Sequence, residues 1–164
     1  MVEKLIRSGC KNIVHLAGPD YISNGYDRLR GYRDALKKFS IPYDKRYILS
    51  GGLNAEQGGS AIENFLALGL EFDAIFGFTE TSTLGAKSVL QKLHYRIPED
   101  VSLCCISGTK LCTLVHPTIT AVEQPVVRMA SESCKLLLEQ IQHPGIQKES
   151  VILRGKMIVR ESTR

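Results

Sequence analysis

Short apolar runs alternate with longer amphipathic segments up to residue 106, and this alternation constrains the fold more than any other feature. Each run has the length of a buried strand, and in the segment after the first run apolar residues recur every three or four positions from Leu29 to Phe39. Strands that alternate with helices indicate βαβ units. We therefore predict an α/β fold, with a parallel sheet flanked by helices. The predicted strands are 12–17, 46–49, 73–78 and 101–106.

Helix signals separate these strands. A short helix over 2–8 is predicted to end at Gly9, and a second helix spans 25–39. Asn54 and Gln57 have the spacing of a capping box, so a third helix is predicted from there to about Leu70. A fourth helix begins near Thr79.

The alternation breaks after residue 107. An irregular stretch leads to a short strand at 119–123 and then to a strongly apolar helix at 126–142, with Pro125 suited to its first turn. Residues 151–159 are predicted to be extended, with a turn or bulge at Gly155.

Composition excludes several classes of function. The 164 residues suffice for one domain with a real core, and the net charge of +4 is spread without a Lys/Arg block. We therefore expect no nucleic-acid binding by this chain alone. No apolar run approaches the ~20 residues of a membrane span, and the start lacks a signal-peptide core, so we expect a cytoplasmic protein without a membrane partner.

The five cysteines are predicted to be buried, reduced thiols. None forms a C-x-x-C pair, and Cys104 and Cys105 are adjacent in an apolar run, so they should point to opposite faces of a strand. The four histidines show no ligand pairing, and His15 is expected to be a satisfied core residue. We therefore expect no metal and no cofactor.

Polar and aromatic residues follow several of the predicted strands. In open α/β sheets, ligands bind beyond the carboxyl ends of the strands, so these residues should share one rim. Donors and acceptors beside an aromatic ring suit a small polar ligand. The candidates at these ends are Tyr21, Arg28, Phe78, Thr79, Glu80 and Ser107.

Each candidate also has an ordinary explanation. Arg28 alone would be a solvated helix arginine, and Thr79 or Ser107 alone would more often cap a helix. Glu80 is a lone carboxylate without a nucleophile, base or metal partner, which argues poorly for catalysis. No G-x-S-x-G, phosphate-loop or H-E-x-x-H motif is present, so we do not expect an enzyme.

Four segments, in chain order, resemble the LacI/GalR-type transcriptional repressors. HLAGP with RLRGYRDAL resembles the family's G-P and R-x-x-G-Y-x-x-A-L, and FDAIFGFTETSTLGA with IPEDVS resembles P-D-A-I-F-x-x-N-D-x-x-A-L-G-A and I-P-E-D-V-S. PTITAVEQP resembles P-x-L-T-T-V-x-Q-P, and the ending IVRESTR matches V-x-R-x-S-T. The match covers nearly the whole chain.

This resemblance implies a sensor. The family has a helix-turn-helix head and a two-lobed core like that of periplasmic binding proteins, works as a dimer, and binds a small effector between its lobes. This chain would then hold the C-terminal lobe (1–122), a crossover and helix of the N-terminal lobe (123–145) and a return strand (146–164), leaving the second lobe incomplete. DNA contact would come only through the head, which this chain lacks. The apolar helix 126–142, without its usual lobe, is expected to self-associate or rearrange.

The resemblance also assigns roles to residues. Arg28 matches the family's effector-contacting arginine, and Gln124, at the crossing between the lobes, joins the predicted ligand-binding set. Thr79 and Glu80 stand where the family commonly has Asn-Asp, and Ser107 stands where it commonly has an acceptor Asp. A sugar is the leading effector, although the usual pyranose-binding set is incomplete. The alternatives are a stand-alone solute-binding module without a DNA role and a small α/β enzyme.

Overall fold

The fold is described by a computed structural model that covers residues 1–145, 147 and 150–164. The strands are β1 (Ile13–Ala17), β2 (Ile48–Ser50), β3 (Ala74–Gly77), β4 (Ser102–Ile106), β5 (Thr120–Glu123) and β6 (Lys156–Ile158). The helices are α1 (Val2–Arg7), α2 (Ser23–Lys38), α3 (Ala55–Leu66), α4 (Glu80–Lys92) and α5 (Val126–Gln142).

The strands form one six-stranded sheet in the order β2-β1-β3-β4-β5-β6. Neighbours from β2 to β5 are parallel, and β6 pairs antiparallel with β5. Helices pack on both faces, with α1 and α2 on one side and α3 and α4 on the other. The predicted α/β fold with a parallel sheet flanked by helices is confirmed.

Two predicted boundaries are wrong for local reasons. Residues Lys45–Tyr47 form a short 3₁₀ helix rather than a strand, because the Asp44 side chain accepts a hydrogen bond from the Arg46 amide at 2.9 Å. Helix α3 ends at Leu66 rather than near Leu70, and Gly69 follows with a positive φ of 64°. Glycine adopts this conformation at low cost, so it terminates helices readily.

The apolar layers confirm the predicted orientation of the adjacent cysteines. Cys104 packs in the layer under α1 and α2, and Cys105 packs in the opposite layer. All five thiols are free, as predicted. Cys134 is the exception to predicted burial, since it is exposed on α5.

The C-terminal segment 151–164 is attached to the sheet by a short strand and by side-chain hydrogen bonds. Only 156–158 of the predicted 151–159 pair as a strand, and a Cβ on Gly155 would come within 2.8 Å of Val122. Ser162 is fully buried, where its hydroxyl donates to the Leu103 carbonyl at 2.6 Å and accepts from the Thr120 amide at 2.9 Å. These bonds attach the end of the chain to β4 and β5.

Helix α5 contrasts with the other helices because none of its residues is buried. The chain leaves the sheet after Glu123 and returns at Lys156, which pair with each other across β5 and β6. The predicted assignment of this helix to another lobe stays a prediction. Among the described residues, no helix is long and apolar enough to cross a membrane.

Candidate functional site

The candidate site lies at the edge where the parallel strands have their carboxyl ends. Helix α2 leads from β1 to its neighbour β2, whereas α3 leads from β2 across to β3 on the opposite face. The order therefore reverses between β1 and β3, and loops on either side diverge there to open a crevice. Arg28 follows β1 and Phe78 follows β3, so these two residues flank the switch point.

Arg28 crosses the switch point and joins both sides. Its Nη1 donates to the Phe78 carbonyl and its Nη2 donates to the Ser107 hydroxyl at 3.3 Å. The guanidinium carbon also lies 4.2 Å from the centre of the Phe78 ring, within cation–π range. These contacts fix the plane of the guanidinium and leave its other N–H groups for a ligand.

Ser107 links Arg28 to the end of β5. Its hydroxyl donates to the Gln124 Oε1 at 2.9 Å, so Arg28, Ser107 and Gln124 form one hydrogen-bonded row. Ser107 has a φ of 62°, which is uncommon for a residue with a side chain. Such conformations cluster at binding sites, where surrounding contacts maintain them.

Phe78 contacts the row directly, and Thr79 follows it in the chain. The Phe78 ring is 4% exposed, and a Cβ on Gly18 would approach it to 2.6 Å, so only glycine fits there. Thr79 caps α4 by accepting from the Ser82 amide, and its hydroxyl lies 2.6 Å from the Gly52 carbonyl, to which it donates. Thr79 thus acts as the helix cap that a lone threonine at this position suggests, and it joins the loop after β2 to the site.

The carboxylate of Glu80 is hydrogen-bonded to the loop that follows β4. One oxygen accepts from the amides of Thr109 and Cys112, both at 2.9 Å, and the other accepts from the Thr109 hydroxyl at 2.7 Å. Burial raises the pKa of this carboxyl, but these hydrogen bonds outweigh that effect and hold the pKa below its usual value. Glu80 therefore holds the loop after Ser107 in place, and its contact with a ligand stays a prediction.

A cleft of about 730 Å³ adjoins the row on the side of β1 and β2. Tyr21 lines this cleft and is 82% exposed. The sequence reasoning missed the α3 wall of this cleft, formed by Gln57, Ser60 and Asn64. Their spacing of three and four residues, opposite the buried face of α3, is a signal that could have identified them.

His15 is a core residue, as predicted, but only one of its nitrogens is satisfied. Its Nδ1 lies 2.9 Å from the Phe76 carbonyl, whereas Nε2 has no partner among the described residues. The ring stacks between Tyr32 and Phe76. Burial lowers its pKa to about 4, and the charge of nearby Arg28 acts in the same direction. His15 is therefore neutral at physiological pH.

The site contains hydrogen-bonding groups and an aromatic ring. Within the described ranges, no three His, Cys, Asp or Glu side chains are grouped to hold a metal ion. The structure brings together Arg28, Phe78, Ser107 and Gln124 by direct contacts. Thr79 contacts the loop after β2, Tyr21 lines the adjoining cleft, and Glu80 contacts the loop after β4. This arrangement can orient a polar ligand by directed hydrogen bonds.

Known proteins share the sequence pattern and the fold of this chain. The model of the periplasmic binding protein-like domain matches residues 2–163. The chain is 30% identical over 98% of its length to the HTH-type transcriptional regulator CelR of Thermobifida fusca, and 31% identical over 99% to the HTH-type transcriptional repressor CytR of Escherichia coli K12. The solved CelR–cellobiose complex superposes with a TM-score of 0.93 at 30% identity, covering 98% of this chain and 49% of that one. The chain spans about half the length of these curated relatives.

Proposed function

The chain belongs to the periplasmic binding protein-like domain family, among its LacI-type transcriptional regulators, and from this premise we propose that it senses a small polar effector of the sugar class. The effector would bind at the rim formed by the Arg28 row and the adjoining cleft. Its binding would control DNA binding by a helix-turn-helix head outside these 164 residues. The observation that carries the proposal is the row of Arg28, Ser107 and Gln124 at the switch point of the sheet.

Each residue of the row has a separate task in this proposal. Arg28 donates to ligand oxygens, because a guanidinium offers a planar fork of donors. Ser107 and Gln124 orient Arg28, and Phe78 supports it from beneath. Tyr21 and the polar face of α3 form the outer wall of the cleft.

The proposed assignment of α5 follows from how the chain crosses the edge of the sheet. Residues 1–122 and 146–164 would form one lobe, and 123–145 would supply a helix to a second lobe. The pairing of Glu123 with Lys156 supports this division, because both crossings lie side by side. The absence of buried residues on α5 also favours it, since a helix with an apolar face normally buries that face.

Control of DNA binding then follows from differential affinity. An effector that contacts both lobes shifts their arrangement only if it binds one arrangement more tightly than the other. The regulator would act as a homodimer, so the change in one subunit would alter the spacing of two DNA-binding heads. The solved relative bound to cellobiose and the curated ribose operon repressor at 25% identity support a sugar effector. A solute-binding module without a DNA role is the alternative.

The test uses the complete gene product and an Arg28→Ala variant. Binding of effectors to the wild-type protein is screened by the shift in its melting temperature, with cellobiose and ribose as first probes. A second assay measures whether a bound effector releases the protein from DNA or retains it there. We expect Arg28→Ala to lower effector affinity by more than about threefold, because losing a charge-assisted hydrogen bond costs more than ~1 kcal/mol. Arg30→Ala is the matched control, since Arg30 is exposed on the same helix and pairs with Asp27. Equal affinities in wild type and Arg28→Ala would contradict the assignment.

A further inference from the structure

Arg28 differs from the other arginines of the chain in how its charge is balanced. Two arginines are partly buried, Arg28 and Arg160, and all others are exposed. Arg160 forms an ion pair with Glu123. Among the residues that the structure describes, Arg28 has no carboxylate within ion-pair distance. Several exposed lysines and arginines do have one, in the pairs Arg30–Asp27, Lys38–Glu3, Arg46–Asp44, Arg96–Asp100 and Lys135–Glu132.

Several acidic side chains near the site pair with other groups, and Asp20 and Asp34, which line neighbouring pockets, lie outside ion-pair distance of Arg28. The carboxylate of Glu80 is held by Thr109 and Cys112, and that of Glu123 pairs with Arg160. Asp27, next to Arg28 in the chain, pairs with Arg30. The protein groups that do contact the guanidinium are a carbonyl and a hydroxyl, both neutral.

A partly buried cation without a counter-charge is costly. Burial lowers the pKa of Arg28, and no carboxylate raises it again, yet the guanidinium remains protonated because its pKa is so high. Coulombic attraction is stronger at such a site than in bulk water, because the effective dielectric constant is lower. An anion brought to the rim would therefore gain more there than at an exposed arginine.

The geometry of Arg28 suits an oxyanion. The Phe78 ring lies beneath the guanidinium, and the bonds to Phe78 and Ser107 fix its plane. A fixed planar fork favours paired N–H contacts to a carboxylate or a phosphate. We propose that the effector carries an anionic group, a carboxylate or a phosphate ester, which pairs with Arg28 and supplies the counter-charge that Ser107 does not.

This inference rests on the proposed function and deepens it by naming the class of effector. It also explains the serine at 107 in physical terms. An aspartate there would lie on Nη2, which is 3.3 Å from the Ser107 hydroxyl, and would neutralise Arg28 within the protein. A neutral polyol would then be the better ligand. With serine, the positive charge stays available.

The test places a carboxylate next to Arg28 in the complete gene product, so that the protein itself supplies the counter-charge. Ser107→Asp adds the carboxylate, and Ser107→Asn adds nearly the same shape without the charge. Both residues tolerate the left-handed conformation that Ser107 adopts, so the backbone should not limit the comparison. The difference between the two variants isolates the charge.

Binding is measured by calorimetry with two minimal anion probes, inorganic phosphate and acetate, and with glucose, glucuronate and glucose 6-phosphate. We expect wild-type protein to bind at least one anionic sugar about tenfold more tightly than glucose, with a gap that narrows as salt rises. Ser107→Asp should remove this preference and Ser107→Asn should keep it. Phosphate competing better than acetate would identify a phosphate ester, and the reverse would identify a carboxylate.

The outcomes separate this inference from the proposed function. Equal anion responses in Ser107→Asp and Ser107→Asn, or glucose bound as tightly as its anionic analogues by wild type, would overturn the inference and leave a neutral-sugar sensor standing. Anion-selective binding that never changes the affinity for DNA would support the inference while removing the proposed regulatory function. Lack of response of wild type to both minimal anions would also overturn the inference.

Discussion

Helices α3 and α5 have similar amphipathic patterns, but α3 buries its apolar face and α5 exposes it. In α3, Ile62 and Phe65 are at most 1% exposed. The buried glycines of α3 also let α4 approach closely, since a Cβ on Gly58 would lie 2.1 Å from the Ser82 carbonyl oxygen. In α5, Leu138 and Ile141 are 56% and 65% exposed. The pattern of a helix therefore predicts that one face seeks burial, but it does not specify what buries that face. For α3 the partners are α4 and the sheet, and for α5 no described element covers the apolar side.

The largest expected effect compares matched aliphatic truncations in the two helices. Ile62→Ala should reduce the free energy of unfolding by about 2–5 kcal/mol, because it opens a cavity in a packed core. In dilute solution, where the chain is a monomer, Leu138→Ala should change it by less than about 0.5 kcal/mol, because the side chain is exposed there. Urea denaturation of both variants of the 164-residue chain measures the difference. A similar loss in both would mean that α5 is covered in solution.

Glu80 offers the next test, because its carboxylate accepts hydrogen bonds from the loop that holds Thr109 and Cys112. Glu80→Ala should cost about 1.5–3 kcal/mol of unfolding free energy, since it removes the acceptor of three hydrogen bonds. Glu80→Gln should cost less, because an amide oxygen still accepts from the Thr109 and Cys112 amides. Thermal or urea denaturation near neutral pH checks the order of the three proteins.

The same carboxylate predicts a pH dependence. Its folded-state pKa lies below the ordinary value of 4.5, so its contribution is complete above pH 4.5 and is lost as the pH falls through the folded-state pKa. Glu80→Gln should remove that part of the acid sensitivity. If wild type and Glu80→Gln lose stability in parallel between neutral and acidic pH, folding does not lower the pKa of this carboxyl.

The contrast between Glu80 and Arg28 shows what the sequence could predict. The sheet and its helices follow from local periodicity, so their number, type and order were predictable up to residue 106. The resemblance to a family singles out Arg28 as an effector contact, and this stays a prediction. The role of Glu80 was not predictable, because its partners Thr109 and Cys112 lie 29 and 32 residues away in an irregular loop. Strand ends place residues near one rim, but only the packing of that loop decides which way each side chain faces.

The smallest effect on folding is expected at the centre of the α5 face. The apolar face of α5 consists of Val126, Val127, Met129, Leu137, Leu138 and Ile141, all exposed. We predict that the 164-residue chain, expressed alone, associates with a second copy through this face, because contiguous exposed apolar surface normally finds a partner. Light scattering across a range of concentrations should show a rising mean mass.

Ile141→Glu should reduce this association while changing the free energy of unfolding of the monomer by less than about 0.5 kcal/mol, because position 141 is exposed. Gln142→Glu is the matched control, since it adds the same charge at the adjacent residue of the same helix. Association that survives Ile141→Glu as well as it survives Gln142→Glu would mean that another surface holds the copies together. A monomeric wild type at high concentration would show that the α5 face does not drive association. Helices α3 and α5 would then differ only in how much of the apolar face is buried within the single chain.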